Sequence, residues 1–364
     1  MAFEYLATCA KGAEKVLARE LAALRVKRVR PLTAGVSFAG TLEDGYRALL
    51  WLRTASRVLL VLGRVDAACA DALYEGVLAL PWEEHVNAAG SIAVDARGTN
   101  DELRNTQFVA VRVKDAVCDR LREVRGERPR VDRDRPSVRI NVALRGSRAT
   151  IALDLAGEPL HRRGYRRTGG GVIEAPLKET LAATMLLAAG WSEQSSGLFT
   201  GEAANAAGEP PGKEQSHFLD PLCGSGTLAI EAGLIAFDIA PGIARDYWGF
   251  TGWLGHEPAL WDALLDEADR RAEAAATAED ERLAATGAAL IYASDFDPAA
   301  VKVALDNAKR AGLAGRIAFE VAAVEKVQLP DAARLSPGLL ACNPPYGERL
   351  ATSSQLPALY AALA

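Results

Sequence analysis

The stretch His217-Phe-Leu-Asp-Pro-Leu-Cys-Gly-Ser-Gly-Thr227 reads as a strand running into a glycine turn, and Leu228 to Phe237 behind it reads as a helix. Strand, glycine turn and helix in that order form the repeating unit of open α/β sheets. Glycines there let the backbone approach a ligand at a helix N-terminus, where unpaired N–H groups converge. A lone Gly-x-Gly is a weak signal, and Asp220 sharpens it. A carboxylate at the strand tip repels a pyrophosphate and attracts the ammonium of an amino-acid-bearing cofactor. Ala229 stands where a dinucleotide fingerprint usually has its third glycine, a weaker point because Ala is tolerated there. The pattern favours S-adenosylmethionine over a nicotinamide or flavin dinucleotide.

Working outward, Leu290-Ile-Tyr-Ala-Ser-Asp-Phe-Asp297 is the next strand and ends in acid. Asp295 can accept both hydroxyls of a ribose, and Phe296 can lie on an adenine. The competing role, a helix N-cap ahead of Pro298, suits Asp297 better than Asp295. Ile317 to Val321 reads as a third strand and Leu339 to Cys342 as a fourth, followed by Asn343-Pro-Pro-Tyr346. Two prolines fix φ and remove two N–H donors, so the strand stops and its last carbonyls stay free to accept. Amide, carbonyl and ring then meet at the sheet edge where α/β proteins bind ligands. A planar exocyclic amine is a poor nucleophile because its lone pair is delocalised. If the Asn343 side-chain oxygen and the Pro344 carbonyl each accept one N–H, that lone pair can face an electrophile, with Tyr346 stacked on the substrate. The plainer reading of the same residues is an Asn-capped Pro-Pro turn with Tyr as packing.

A chain of 364 residues is expected to hold two or three domains. Its 49% apolar and 24% charged residues are those of a soluble globular protein. There is no apolar run long enough for a membrane span, and Met1-Ala-Phe-Glu-Tyr5 lacks the basic and apolar regions of a signal peptide, so none is expected. The five cysteines are scattered and never form Cys-x-x-Cys, and the four histidines are scattered too. We therefore expect a cytoplasmic protein without a disulfide framework or a metal site. From Arg104 to Arg167 there are 17 Lys and Arg against 8 Asp and Glu, inside a chain of formal net charge −5. A basic segment in an acidic protein marks a polyanionic partner, although a solvated, salt-bridged surface gives the same count.

Residues 1–65 read as strand, helix, two strands, helix and strand, the ferredoxin-like order. Residues 66–168 form a second α+β unit, with a long amphipathic helix over Thr106 to Val124 and a strand pair joined through Arg145-Gly-Ser-Arg148. Its basic stretches carry Arg125, Arg128, Arg130, Arg133 and Arg135, then Arg162, Arg163, Arg166 and Arg167. Arginines interleaved with Gly, Tyr and His suit phosphate forks and base stacking. Glu174 to Gly190 is expected to be helical, 192–216 a mobile surface insertion, and Pro241 to Thr286 mostly helical with its tryptophans as packing.

Asp220 to Thr227, Ser294 to Asp297 and Asn343-Pro-Pro-Tyr-Gly-Glu-Arg-Leu350 together resemble a class I S-adenosylmethionine-dependent methyltransferase. The resemblance is to the bacterial 23S rRNA guanine-N2 methyltransferases with an N-terminal THUMP domain, the N-terminal half of a bifunctional guanine-N2/guanine-N7 enzyme in some bacteria. It runs nearly end to end, through Asn105-Thr-Gln-Phe108, Leu160-His-Arg-Arg-Gly-Tyr165 and Trp248-Gly-Phe-Thr-Gly-Trp253. It implies an α/β protein: a ferredoxin-like domain (1–65), a THUMP RNA-binding domain (66–168) and a Rossmann-like methyltransferase domain (172–364). It further implies that Asp220, Cys223, Gly224, Ser225, Gly226 and Thr227 line the methionine end of the cofactor. Asp295 would hold the ribose and Phe296 the adenine. Asn343, Pro344, Pro345 and Tyr346 would present the guanine amine, and the arginines would grip 23S rRNA by shape.

Two features depart from the family pattern. Ala323 stands where the family has an acid that contacts the adenine amino group. The chain ends at Ala364, within the helix after the fourth strand, so a C-terminally truncated sheet is expected. Asn-Pro-Pro-Tyr is also shared with adenine-N6 and glutamine-N5 methyltransferases. An RNA-binding fragment without activity is the rival from outside the enzymes.

Overall fold

A computed structural model describes residues 2–166, 177–191, 217–331, 338–344, 360, 361 and 363. The chain divides into two compact units, Met1–Leu160 with Asp246–Leu264, and His161–Arg245 with Leu265–Ala364.

The first unit opens with β1 (Phe3–Thr8), α1 (Glu14–Ala23), β2 (Lys27–Leu32), β3 (Gly35–Gly40), α2 (Leu42–Trp51) and β4 (Arg57–Asp66). Leu17 and Leu21, one turn apart on α1, are buried, and α2 starts on a capping box between Thr41 and Asp44. Gly45 sits inside α2 because a Cβ there would come within 2.6 Å of the Tyr5 ring; close approach outweighs helix propensity. The unit continues with α3 (Ala70–Leu78), β5 (Ser91–Arg97), α4 (Thr106–Arg125), β6 (Arg130–Val131), β7 (Val138–Arg145) and β8 (Arg148–Asp154).

All eight strands form one sheet, in the order β2-β3-β1-β4-β8-β7-β5-β6. The first four follow the expected ferredoxin-like order. What the sequence does not announce is that the two modules share this sheet. β4 runs on to Asp66 and pairs antiparallel with β8, from Leu59↔Asp154 to Asp66↔Arg148. This satisfies an edge that β4 would otherwise leave open.

The expected helix forms over most of Pro241 to Thr286, with the tryptophans packed as expected, but it leaves out the start of the span. Residues 241–257 are turns, and the helix begins only at Pro258. Glycines break the run where backbones meet: a Cβ on Gly249 would lie 2.4 Å from the Asp154 carbonyl, and one on Gly252 2.6 Å from Ser137 Cα. Trp248, Phe250 and Trp261 cluster with Tyr46, and Trp253 Nε1 donates to His85 Nδ1 at 3.1 Å. Residues 246–264 therefore belong to the first unit, and residues 161–166 to the second. These boundaries differ from the expected divisions at 168 and 172.

The second unit contains α5 (Glu179–Ala188), β9 (His217–Asp220), α6 (Thr227–Ala236), most of α7 (Pro258–Thr286), β10 (Ile291–Asp295), α8 (Pro298–Arg310), β11 (Ile317–Val321) and β12 (Gly338–Leu340). α5 starts at Glu179, later than the expected Glu174, and Pro176 lies outside the described residues. Among the described residues the sheet has four parallel strands in the order β11-β10-β9-β12, the class I order 3-2-1-4. Every residue of α6 is buried, and all but Thr227 and Glu231 are apolar. It packs Ile230 and Ile235 with Phe218, Ile291 and Ala304. The expected insertion 192–216 lies outside the described residues.

Candidate functional site

β9 is flanked by β10 and β12, so its C-terminal tip delivers Asp220 to the middle of the sheet edge. The glycine turn follows, with Gly224 at φ +51° and Gly226 at φ +81°. The two glycines serve different ends. A Cβ on Gly224 would meet nothing within 4 Å, which leaves room for a ligand against the backbone. A Cβ on Gly226 would lie 2.9 Å from Ala304 Cβ, so this glycine lets the turn pack on α8. Gly226 is also the N-cap of α6 and has no side-chain cap, which leaves the first N–H groups of the helix to an anionic group.

Two carboxylates frame the turn. Asp295 Oδ2 accepts from Gly224 N at 2.9 Å and its Oδ1 from Asp297 N at 3.0 Å. One side chain thus ties the β9 turn to the end of β10 and keeps acceptor lone pairs for a ligand. Asp297, not Asp295, caps α8 by accepting from Ala299 N at 2.8 Å. Asp220 is buried, and its Oδ1 accepts from Leu222 N at 3.3 Å. Burial, reinforced by nearby Asp295, pushes its pKa up to about 8. Beside them Phe296 is 73% exposed, an aromatic face with nothing packed over it among the described residues. An open glycine cradle, two acids, an uncapped helix N-terminus and a bare ring fit the ammonium, carboxylate, ribose and base of S-adenosylmethionine.

The other expected turn residues face inward. Ser225 Oγ and Thr227 Oγ1 are 3.3 Å apart, and both side chains are buried. Cys223 is buried too, and its thiol pKa is pushed up by burial and by Asp220 and Asp295, so it stays protonated. These three residues shape the turn more than they offer side chains to a ligand.

β12 pairs with β9 in parallel, and Ala341 N continues the ladder to the Leu219 carbonyl at 3.1 Å. That carries Asn343, which is exposed, and Pro344, which is half-buried, beyond the same sheet edge as Asp220. Pro345 and Tyr346 lie outside the described residues.

The arginines divide, and several expectations fail. Arg163 is 3% exposed; its Nε and Nη2 donate to Glu231 Oε1 and Oε2 at 3.3 and 3.2 Å, so it cannot reach a polyanion. A carboxylate on the apolar helix α6 is too costly to bury without such a partner. Arg166 turns to the glycine turn, donating to Thr227 Oγ1 and pairing with Glu179 at 3.2 Å. Arg125 donates to the carbonyls of Val86 and Glu83, which fixes the end of α4, and Arg128 pairs with Asp119. Arg130, Arg133, Arg135 and Arg162 are exposed, and the Arg135 guanidinium lies 5.1 Å from the Tyr247 ring centroid. Arg167 lies outside the described residues.

Sequence reasoning missed Asn307, whose buried side chain donates from Nδ2 to the Ser225 carbonyl at 3.0 Å. An asparagine on the apolar stripe of an amphipathic helix was the available signal. Among the described residues no His, Cys, Asp and Glu group could hold a metal ion, and no helix is long and apolar enough to cross a membrane.

Residues 4–59 match the RlmL ferredoxin-like domain, residues 67–154 the THUMP domain and residues 211–364 the RMKL-like methyltransferase domain. The chain is 45% identical over 361 residues to the ribosomal RNA large subunit methyltransferase K/L of Syntrophotalea carbinolica, across 99% of this chain and 46% of that protein. It spans about half the length of the curated relatives it matches. Among solved structures, a predicted N6-adenine-specific DNA methylase from Listeria monocytogenes superposes with a TM-score of 0.79 at 29% identity, over 100% of this chain and 85% of that one. SMU.472 complexed with SAH superposes with a TM-score of 0.78 at 28% identity, over 99% and 85%.

Proposed function

Because the chain belongs to the family of THUMP-bearing RMKL-like methyltransferases, with the ribosomal RNA large subunit methyltransferase K/L proteins as relatives, we propose that it methylates the exocyclic N2 of a guanine in 23S ribosomal RNA. The observation that carries the reading is the shared sheet edge, where the Asp220–Gly224–Asp295 cradle and Asn343-Pro344 end neighbouring strands. S-adenosylmethionine, when bound, supplies a methyl group on a positively charged sulfur, and SMU.472 with its bound SAH supports this choice of cofactor.

The chain's own residues orient. Asp220 meets the ammonium, the N-terminus of α6 meets the carboxylate, Asp295 accepts the ribose hydroxyls and Phe296 covers the adenine. Asn343 Oδ1 and the Pro344 carbonyl each accept a hydrogen bond from one amine N–H, which turns the N2 lone pair outward. Tyr346 stacks on the extruded base, an assignment made from sequence. Arg130, Arg133, Arg135 and Arg162 contact the RNA backbone. The proposed site of action is the cytoplasm.

A second reading is adenine-N6 transfer, favoured by the Asn-Pro-Pro-Tyr motif and by the description of the Listeria monocytogenes structure. Incubating the protein with stripped rRNA and labelled S-adenosylmethionine, then analysing nucleosides by mass spectrometry, separates the two. N2-methylguanosine is expected; N6-methyladenosine would replace the proposal with the second reading. Cofactor binding with no methylated nucleoside would leave an RNA-binding protein.

A further inference from the structure

We propose that Asn307 and Arg310 of α8 are positioning residues for the cofactor, holding the glycine turn by the Ser225 carbonyl. The inference rests on assigning that turn to S-adenosylmethionine. The Ser225 carbonyl lies between Gly224, which borders the open cradle, and Gly226, which caps α6. That carbonyl shares its peptide plane with the Gly226 N–H, which donates to the Cys223 carbonyl at 2.7 Å, so its orientation sets how the chain turns from Gly224 into the N-terminus of α6. Both glycines sit at positive φ, and glycine backbone has many alternatives to that shape unless something holds it.

The hold is a continuous chain of hydrogen bonds within the second unit. Asn307 Nδ2 donates to the Ser225 carbonyl at 3.0 Å, and Asn307 Oδ1 accepts from Arg310 Nη2 at 2.6 Å. Arg310 Nε donates at 2.6 Å to the Tyr165 carbonyl. Tyr165 belongs to a segment that the buried Arg163–Glu231 pair clamps to α6. Arg310 therefore fixes which way the Asn307 amide faces, and Asn307 fixes the turn. Neither side chain need touch the ligand. Both act by removing alternatives before it arrives, which is how a preorganised site gains affinity.

The test uses Asn307→Asp, which keeps shape and volume but replaces the donor with an oxygen facing an oxygen. Arg310 can still pair with the new carboxylate. Calorimetric titration with S-adenosylmethionine is expected to show affinity weakened on the order of tenfold, with kcat changed far less than KM, because a bound-state preference is lost and not a transition-state contact. Arg310→Ala, which leaves the Asn307 donor in place, is expected to weaken binding about threefold. Amide exchange of the 223–227 backbone, read without cofactor, should quicken in Asn307→Asp. Unchanged affinity in a folded Asn307→Asp overturns the proposal, as does a lowered thermal midpoint with neither affinity nor exchange altered. A wild-type chain that binds no S-adenosylmethionine overturns the cofactor reading, whereas the exchange rates still report whether Asn307 holds the turn.

Discussion

Two arginine-rich segments of this chain look alike in sequence and have opposite fates. In Arg125 to Arg135 the side chains of Arg130, Arg133 and Arg135 remain exposed, while Arg125 bonds the Val86 and Glu83 carbonyls and Arg128 pairs with Asp119. In His161 to Arg166, Arg163 is buried against Glu231 and Arg166 meets Thr227. The first segment is an electrostatic surface, whereas the second keeps Arg162 exposed and sends Arg163 into a core. Charge count cannot separate them; the presence of an apolar helix carrying one acid does.

The comparison breaks if Arg163 proves dispensable. Arg163→Ala leaves the Glu231 carboxylate buried without its partner, and about 3–5 kcal/mol of stability should be lost in chemical denaturation. Replacing both, Arg163→Met with Glu231→Leu, should restore most of it, since the pair matters more by its absence than by its presence. Next in size is Asp295→Ala, which frees the Gly224 and Asp297 N–H groups and removes the proposed ribose acceptor. Cofactor affinity by calorimetry should fall by about 1.5–3 kcal/mol, while the fold persists.

A pH experiment sharpens the site's side of the comparison. Asp220 holds its proton up to about pH 8 in the folded protein because of burial and Asp295. The folded state thus binds more protons than the unfolded one between the ordinary carboxyl pKa and about 8. The Asp220 contribution to stability is present at low pH and is lost as pH rises through that window. If the ionised form is what receives the cofactor ammonium, affinity should climb by up to about tenfold per unit on approaching pH 8 and then level off. Asp220→Asn should flatten that profile.

The smallest effect on stability belongs to the exposed segment. Arg133→Ala or Arg135→Ala should change stability by no more than about 0.5 kcal/mol. Each should weaken binding of rRNA fragments and lower the salt-dependence slope by about one. RNA binding that ignores both substitutions would make this segment a solvated surface and end the contrast with Arg163.

The local devices were legible because each is encoded within a few residues. The Asp220-to-Thr227 turn, the Asp297 cap before Pro298 and the parallel strands β10 and β11 follow from turn chemistry, capping and apolar runs. The ferredoxin-like order of the first four strands was legible from alternating elements for the same reason. The sharing of one sheet by β4 and β8 was not, since any edge strand can pair with any other and the choice is made between residues some ninety apart, such as Leu59 and Asp154. Where the helix of the 241–286 span would begin was not legible, because Gly249 and Gly252 answer to Asp154 and Ser137 and not to their neighbours in sequence.

The sequence by itself determined the kind of site: a glycine turn between strand and helix, acids at the strand tips, and an Asn-Pro-Pro-Tyr edge. Only the tertiary structure decided which side chains belong to it. Arg163 meets Glu231 across 68 residues and Asn307 reaches Ser225 across 82. Burial and a hydrogen-bond partner are properties of the folded neighbourhood, and an arginine or asparagine carries no local sign of either.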